Sequence, residues 1–128
     1  MQYDLEERTK KFAVAVIRVV KKIKMNYLNE NIIRQLLRCA TSVAANYREA
    51  NAASSKKDFR NKIFISRKEI QETELWIELL AETNPEAKTV LQKLWKEAHE
   101  LTLIFNKIST SLKNGEISKF KNCLKIRN

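Results

Sequence analysis

Glycine and proline occur once each in the 128 residues of this chain. Folds with many tight turns need both, glycine for positive φ and proline for a preset φ. Their scarcity therefore excludes a β-rich sandwich or barrel and points to few, long helices. A single glycine also excludes the glycine-rich loops that cradle phosphates in Walker-type and dinucleotide sites. Histidine is equally scarce, with His99 alone. A ferritin-like di-iron bundle needs repeated Glu-x-x-His elements. Here Lys96 stands three residues before His99, and there is no second histidine. No arginine lies between Arg67 and His99, so a helical nuclease motif with an arginine shortly before its histidine fails too. A Ser, Cys or Thr nucleophile would have no base other than His99, which reads as a surface or boundary residue. The expectation is a protein that is not an enzyme and holds no metal or cofactor.

Cysteine is limited to Cys39 and Cys123. They are too far apart for a C-x-x-C pair, so neither a disulfide framework nor a zinc site is expected. Reduced thiols suit a cytoplasmic protein. Asp4, Glu6 and Glu7 precede any apolar run, unlike a signal peptide. The longest apolar stretch, FAVAVIRVV from Phe12 to Val20, contains Arg18 and is too short to span a bilayer. What the chain does have is charge: 25 Lys and Arg against 15 Asp and Glu, a net +10. Such an excess favours polyanions such as RNA or DNA, or an acidic protein face; it also serves plain solubility.

The hydrophobic spacing predicts an all-α, up-down-up-down antiparallel four-helix bundle over residues 1–114, followed by a basic tail, 115–128. Helix 1 is expected at about 4–24, with acids in its first turns and Lys21, Lys22 and Lys24 in its last. Its middle is apolar nearly all round, which implies burial on more than one side. Phe12, Val16, Val19 and Val20, with Trp76 from helix 3, are therefore the expected subunit interface. Helix 2, about 31–53, has Asn29 or Asn31 as its cap and a stripe of Ile33, Leu36, Leu37, Ala40, Val43, Ala44 and Tyr47. Helix 3, about 55–83, starts at Ser55 with Asp58 in a capping-box-like position. Phe59, Ile63, Ser66, Ile70, Thr73, Ile77 and Leu80 form its core stripe. Helix 4, about 85–113, opens on Asn84-Pro85 and stops before Gly115. Its heptad runs through Ala87, Leu91, Leu94, Ala98, Leu101, Phe105, Ile108 and Leu112.

The stretch Leu36–Leu80 departs from a plain bundle. Thr41, Ser42, Asn46, Glu49, Ser66, Glu69, Glu72 and Thr73 take inner-face positions where Leu or Ile would be usual. Polar groups there must find partners. For Glu69 and Glu72 the candidate partners are Arg38, Arg48 and Arg67. Helix 3 is also polarised: Lys56, Lys57, Arg60, Lys62, Arg67 and Lys68 come first, Glu69, Glu72, Glu74, Glu78 and Glu82 last. That order opposes the helix dipole. One explanation is an anion site at the positive end of helix 3. The other is that Lys56 and Lys57 satisfy the adjoining end of helix 2. Trp76, Trp95, Tyr47 and Phe59 could stack bases, but at helical spacing they read first as core or interface anchors.

The run LRCATSVAANYREA, residues 37–50, resembles the second-helix signature of the four helix bundle protein family, also called the 23S rRNA intervening-sequence protein family. Ser55-Lys56-Lys57-Asp58-Phe59 and EIQETELWIELL, residues 69–80, extend the likeness. The family includes proteins encoded within bacterial rRNA gene insertions and the accessory variability protein of diversity-generating retroelements. The resemblance implies a homopentamer of four-helix bundles, with a basic surface for nucleic acid and a reverse transcriptase as partner. It also implies structural roles for Asn46 and Glu49. Many members have Glu-Gly where this chain has Glu49-Ala50, so helix 2 is expected to run on smoothly.

The resulting expectation is a non-enzymatic oligomer that binds RNA or DNA through backbone phosphates, using Arg34, Arg38, Arg48, Lys56, Lys57, Arg60 and Arg67. The alternative is a protein-interaction scaffold. A nucleic-acid binder should gather these cations in one patch; a scaffold should pair them with the helix 3 acids or scatter them.

Overall fold

The computed structural model describes residues 4–115. Among these residues four helices make up the fold: α1 Leu5–Lys21, α2 Glu30–Asn51, α3 Lys56–Thr83 and α4 Lys88–Lys113. A 3-10 turn, Pro85–Ala87, leads into α4. Successive helices pack against each other, α2 with α3 most extensively, and α4 returns to close lightly on α1. The chain is an all-α antiparallel four-helix bundle, and no strand occurs among the described residues. The tail at 116–128 lies outside them.

Apolar residues at three-four spacing bury one face of each helix. Phe59, Ile63, Ile70, Ile77 and Leu80 of α3 meet Leu36, Val43 and Tyr47 of α2 and Leu91, Leu101, Phe105 and Ile108 of α4 in one core. Burying such a side chain contributes about 1.5–3 kcal/mol. Tyr47 sits edge-on to Phe105 with ring centroids 5.9 Å apart. The small polar core residues find backbone partners: Ser66 Oγ donates across to the Val43 carbonyl of α2 at 3.3 Å, and Thr73 Oγ1 donates within α3 to the Glu69 carbonyl at 2.8 Å.

Several boundaries differ from the spacing-based reading. α1 ends at Lys21 rather than Lys24, because asparagine side chains impose a turn. Asn26 Oδ1 accepts from the backbone N–H groups of Leu28 and Asn29, and Asn29 Oδ1 accepts from the Asn26 N–H. Such side-chain bonds offer the backbone an alternative to helix. Asn29 holds the N-cap position of α2, yet its side chain makes no capping bond. Asn84 likewise caps nothing; its amide donates to Glu86 Oε2 at 2.8 Å, which holds the Glu86 carboxyl below its ordinary range. Ser55 does cap α3, accepting from the Asp58 N–H at 3.0 Å.

The apolar middle of α1 also needs a correction. Phe12, Val16 and Val20 are buried within the protomer's own core. The bundle itself supplies the second covering side, so these residues offer no surface to another subunit. Val19 and Trp76 are half-buried against that core.

Candidate nucleic-acid interface

The polar seam between α2 and α3 is held by Arg38. Its Nη1 donates to both Glu69 oxygens, at 3.2 and 3.3 Å, and its Nη2 to Glu72 at 3.3 Å and to Cys39 Sγ at 3.0 Å. Arg38 is thus the partner of both carboxylates, and Arg48 and Arg67 are not. Of the polar inner-face set, only Ser66 and Thr73 are buried; Thr41 and Glu49 are exposed, and Ser42, Asn46, Glu69 and Glu72 lie at the half-buried boundary. Asn46 bonds within its own helix, donating to the Ser42 carbonyl and Oγ at 2.9 Å each. Glu49 pairs with Lys62 at 2.8 Å, raising the Lys62 ammonium above its ordinary value.

Cys39, Glu69 and Glu72 bring three ligand-type atoms within 4.8 Å of one another. Here these groups serve one another and Arg38. The Arg38 guanidinium already neutralises the carboxylates, and burial pushes the Cys39 thiol up to about 12. A ligand sulfur has to be a thiolate.

The cations separate into two groups. Arg34 pairs with Glu30 at 3.0 Å on its own helix, and Arg38 is engaged as described. Arg48 lies ten residues beyond Arg38, roughly 15 Å along the α2 axis. It shares a shallow hollow with Glu6, Lys10 and Glu49. Lys56, Lys57 and Arg60 stand exposed on the first turns of α3, beside the end of α2. Arg48, Lys56, Lys57 and Arg60 make no ion pair among the described residues. The Arg48, Glu49 and Ala50 carbonyls accept from the backbone N–H groups of Ala52 and Ala53, and no hydrogen bond from Lys56 or Lys57 to that end occurs among the described residues. Arg67 is half-buried with its Nε enclosed and unbonded.

The aromatic residues divide as well. Tyr47 and Phe59 are fully buried and cannot stack bases. Trp95 is half-buried, and His99 already stacks on it with centroids 4.8 Å apart. Sequence reasoning missed the bridge from Arg8 on α1 to α4, where Glu97 takes two bonds at 2.7 and 2.9 Å and Glu100 one at 2.8 Å. These raise the guanidinium above its ordinary value, Glu97 foremost. The only sequence signal was the Glu97/Glu100 spacing on one helix face.

Fold and surface together define a class: an all-α four-helix bundle with a polar α2–α3 seam and exposed, unpaired cations on the first turns of α3. Residues 1–107 match the family model of the 23S rRNA-intervening sequence protein, and the chain belongs to that family. It is similar to a crystal structure of a protein of unknown function from the S23 ribosomal protein family of Bacteroides thetaiotaomicron VPI-5482. The two share 31% identity and superpose with a TM-score of 0.70, covering 81% of this chain and 96% of that one. No curated protein matches the chain. No described helix is long and apolar enough to cross a membrane.

Proposed function

We propose that this protein binds nucleic acid, RNA in preference to DNA, through backbone phosphates and without an enzymatic step. The observation that carries this reading is the set of Lys56, Lys57 and Arg60 on the first turns of α3, with Arg48 in the last turn of α2, all exposed and free of ion pairs among the described residues. Helix N-termini and unpaired cations together suit phosphate. The family's name supports RNA as the first polymer to test. Arg34 and Arg38 drop to secondary roles because their charge is spent on Glu30, Glu69 and Glu72. The likeness to the retroelement accessory protein adds a homopentamer, with a reverse transcriptase as the partner to test.

The test is binding to labelled structured RNA and to duplex DNA across a salt series, for wild type and for the Lys56→Ala/Lys57→Ala double variant. Wild-type affinity should fall steeply with salt. Each lost phosphate contact reduces that slope by about 0.7–0.9 in log–log terms, so the double variant should flatten it by about 1.4–1.8. An unchanged slope places the site elsewhere.

A second reading, a protein scaffold, is favoured by the Arg38–Glu69–Glu72 seam, where cations serve the chain's own acids. It stands if wild type binds neither polymer at low salt.

A further inference from the structure

Two surfaces near the α1–α2 and α3–α4 turns remain apolar and unpartnered. One is an open groove of about 860 Å³ between α1 and α2. Ile17, Ile23, Met25 and Leu37 line it, with Lys21 and Arg34 among its charged neighbours. Ile17 and Met25 are 39% and 46% exposed. The other is the outer ridge of α3, where Leu75, Leu79 and Glu82 follow one helical stripe. Leu75 is 48% and Leu79 38% exposed.

Their charges are opposite. No acid other than Glu30 occurs between Glu7 and Glu49, the span that contains the groove. No base occurs between Lys68 and Lys88, the span that contains the ridge. Lys21 and Glu82 are both exposed, and neither has an ion pair among the described residues. The levels also agree. Arg38 of α2 bonds Glu69 and Glu72 of α3, so in this antiparallel pair the groove residues Ile33 and Arg34 lie level with the end of α3 that carries Leu75 and Leu79.

We infer that the α3 ridge of one copy seats in the α1–α2 groove of a second copy of this chain, Leu75 and Leu79 against Ile17, Ile23, Met25 and Leu37, with Glu82 facing Lys21. The contact joins two different patches at one level, so copies stand side by side with their helices pointing the same way. Such a heterologous contact builds a ring when its rotation closes. The inference rests on the homo-oligomer reading above and names the surfaces that make it.

The experiment compares the solution mass of wild type, Ile17→Asp and Leu79→Asp, alone and mixed, with helicity checked by circular dichroism. Both substitutions are at exposed positions, so folding should survive. Ile17→Asp loses the groove and keeps the ridge; Leu79→Asp does the reverse. Each alone should be monomeric, and an equimolar mixture at high concentration should give one-to-one dimers, since one intact pair of surfaces remains. If wild type is monomeric, the oligomer reading falls and this contact with it. If wild type is oligomeric and either folded variant keeps its mass, or the mixture stays monomeric, this pairing is wrong while the oligomer reading stands.

Discussion

Cys39 shows how one neighbourhood resets a side chain. It is fully buried beside Glu69 and Glu72, and both burial and the bond with Glu69 disfavour the thiolate. Its proton, ordinarily lost near 9.0, is held up to about 12. Above pH 9 the unfolded chain therefore binds fewer protons at this residue than the folded one, and stability falls as pH rises through that window. Cys39→Ala should remove this contribution. Unfolding free energies measured from pH 8 to 11 should decline less steeply for the variant than for wild type; equal slopes would show that the thiol ionises normally. The sequence held no sign of this, because Glu69 and Glu72 become its neighbours only when α2 and α3 pack.

Among the elements, α3 is the most informative. Its basic beginning and acidic end oppose its own dipole. The acidic half is partly relieved from outside, by Arg38 at Glu69 and Glu72 and by the Trp95 Nε1–H donated to Glu78 at 2.9 Å. At the basic end Glu49 relieves Lys62, whereas Lys56, Lys57 and Arg60 make no ion pair among the described residues, which is why they carry the functional proposal. The cap at this end is correspondingly important. Ser55→Ala removes the acceptor for the Asp58 N–H and should cost about 1 kcal/mol, within the 0.5–2 typical of N-caps. Urea denaturation measures it directly; a change near zero would mean that water replaces the hydroxyl without loss. The cap, the core stripe of α3 and the heptad of α4 were legible because each depends on residues close in sequence. The end of α1 was not, since the same asparagine residues can cap a helix or build a turn, and here the turn won.

Across the whole molecule, Asn29 and Asn84 join the α1–α2 turn to the α3–α4 turn. Asn29 Nδ2 donates to Asn84 Oδ1 at 3.0 Å and to the Lys24 carbonyl at 3.1 Å, and Asn29 is wholly buried. Asn29→Ala strands buried partners and should destabilise the bundle by about 1–3 kcal/mol. A large share of a small domain's stability would be lost, given totals of about 5–15 kcal/mol. Thermal and urea unfolding should shift together; an unchanged midpoint would show that the two turns are held by packing alone. At the same scale, a ring would repeat the α2–α3 turn once per subunit. Nucleic-acid affinity and its salt dependence would then both drop when the ring is broken, as separate phosphate contacts cease to act together.

By itself the sequence determined the class of fold, the core faces of the helices and the character of its surface charge. Scarce glycine and proline and the three-four spacing of apolar residues are local properties, and helices obey local rules. The tertiary structure alone decided which charges are free. Arg34 and Arg38 look like Lys56 and Lys57 in the sequence, yet the first two are bound to carboxylates and the others are not. It also decided that Phe12, Val16 and Val20 belong to the protomer's core and that Ile17, Leu75 and Leu79 remain outside it. Pairing and burial depend on residues distant in the chain, and only packing brings them together.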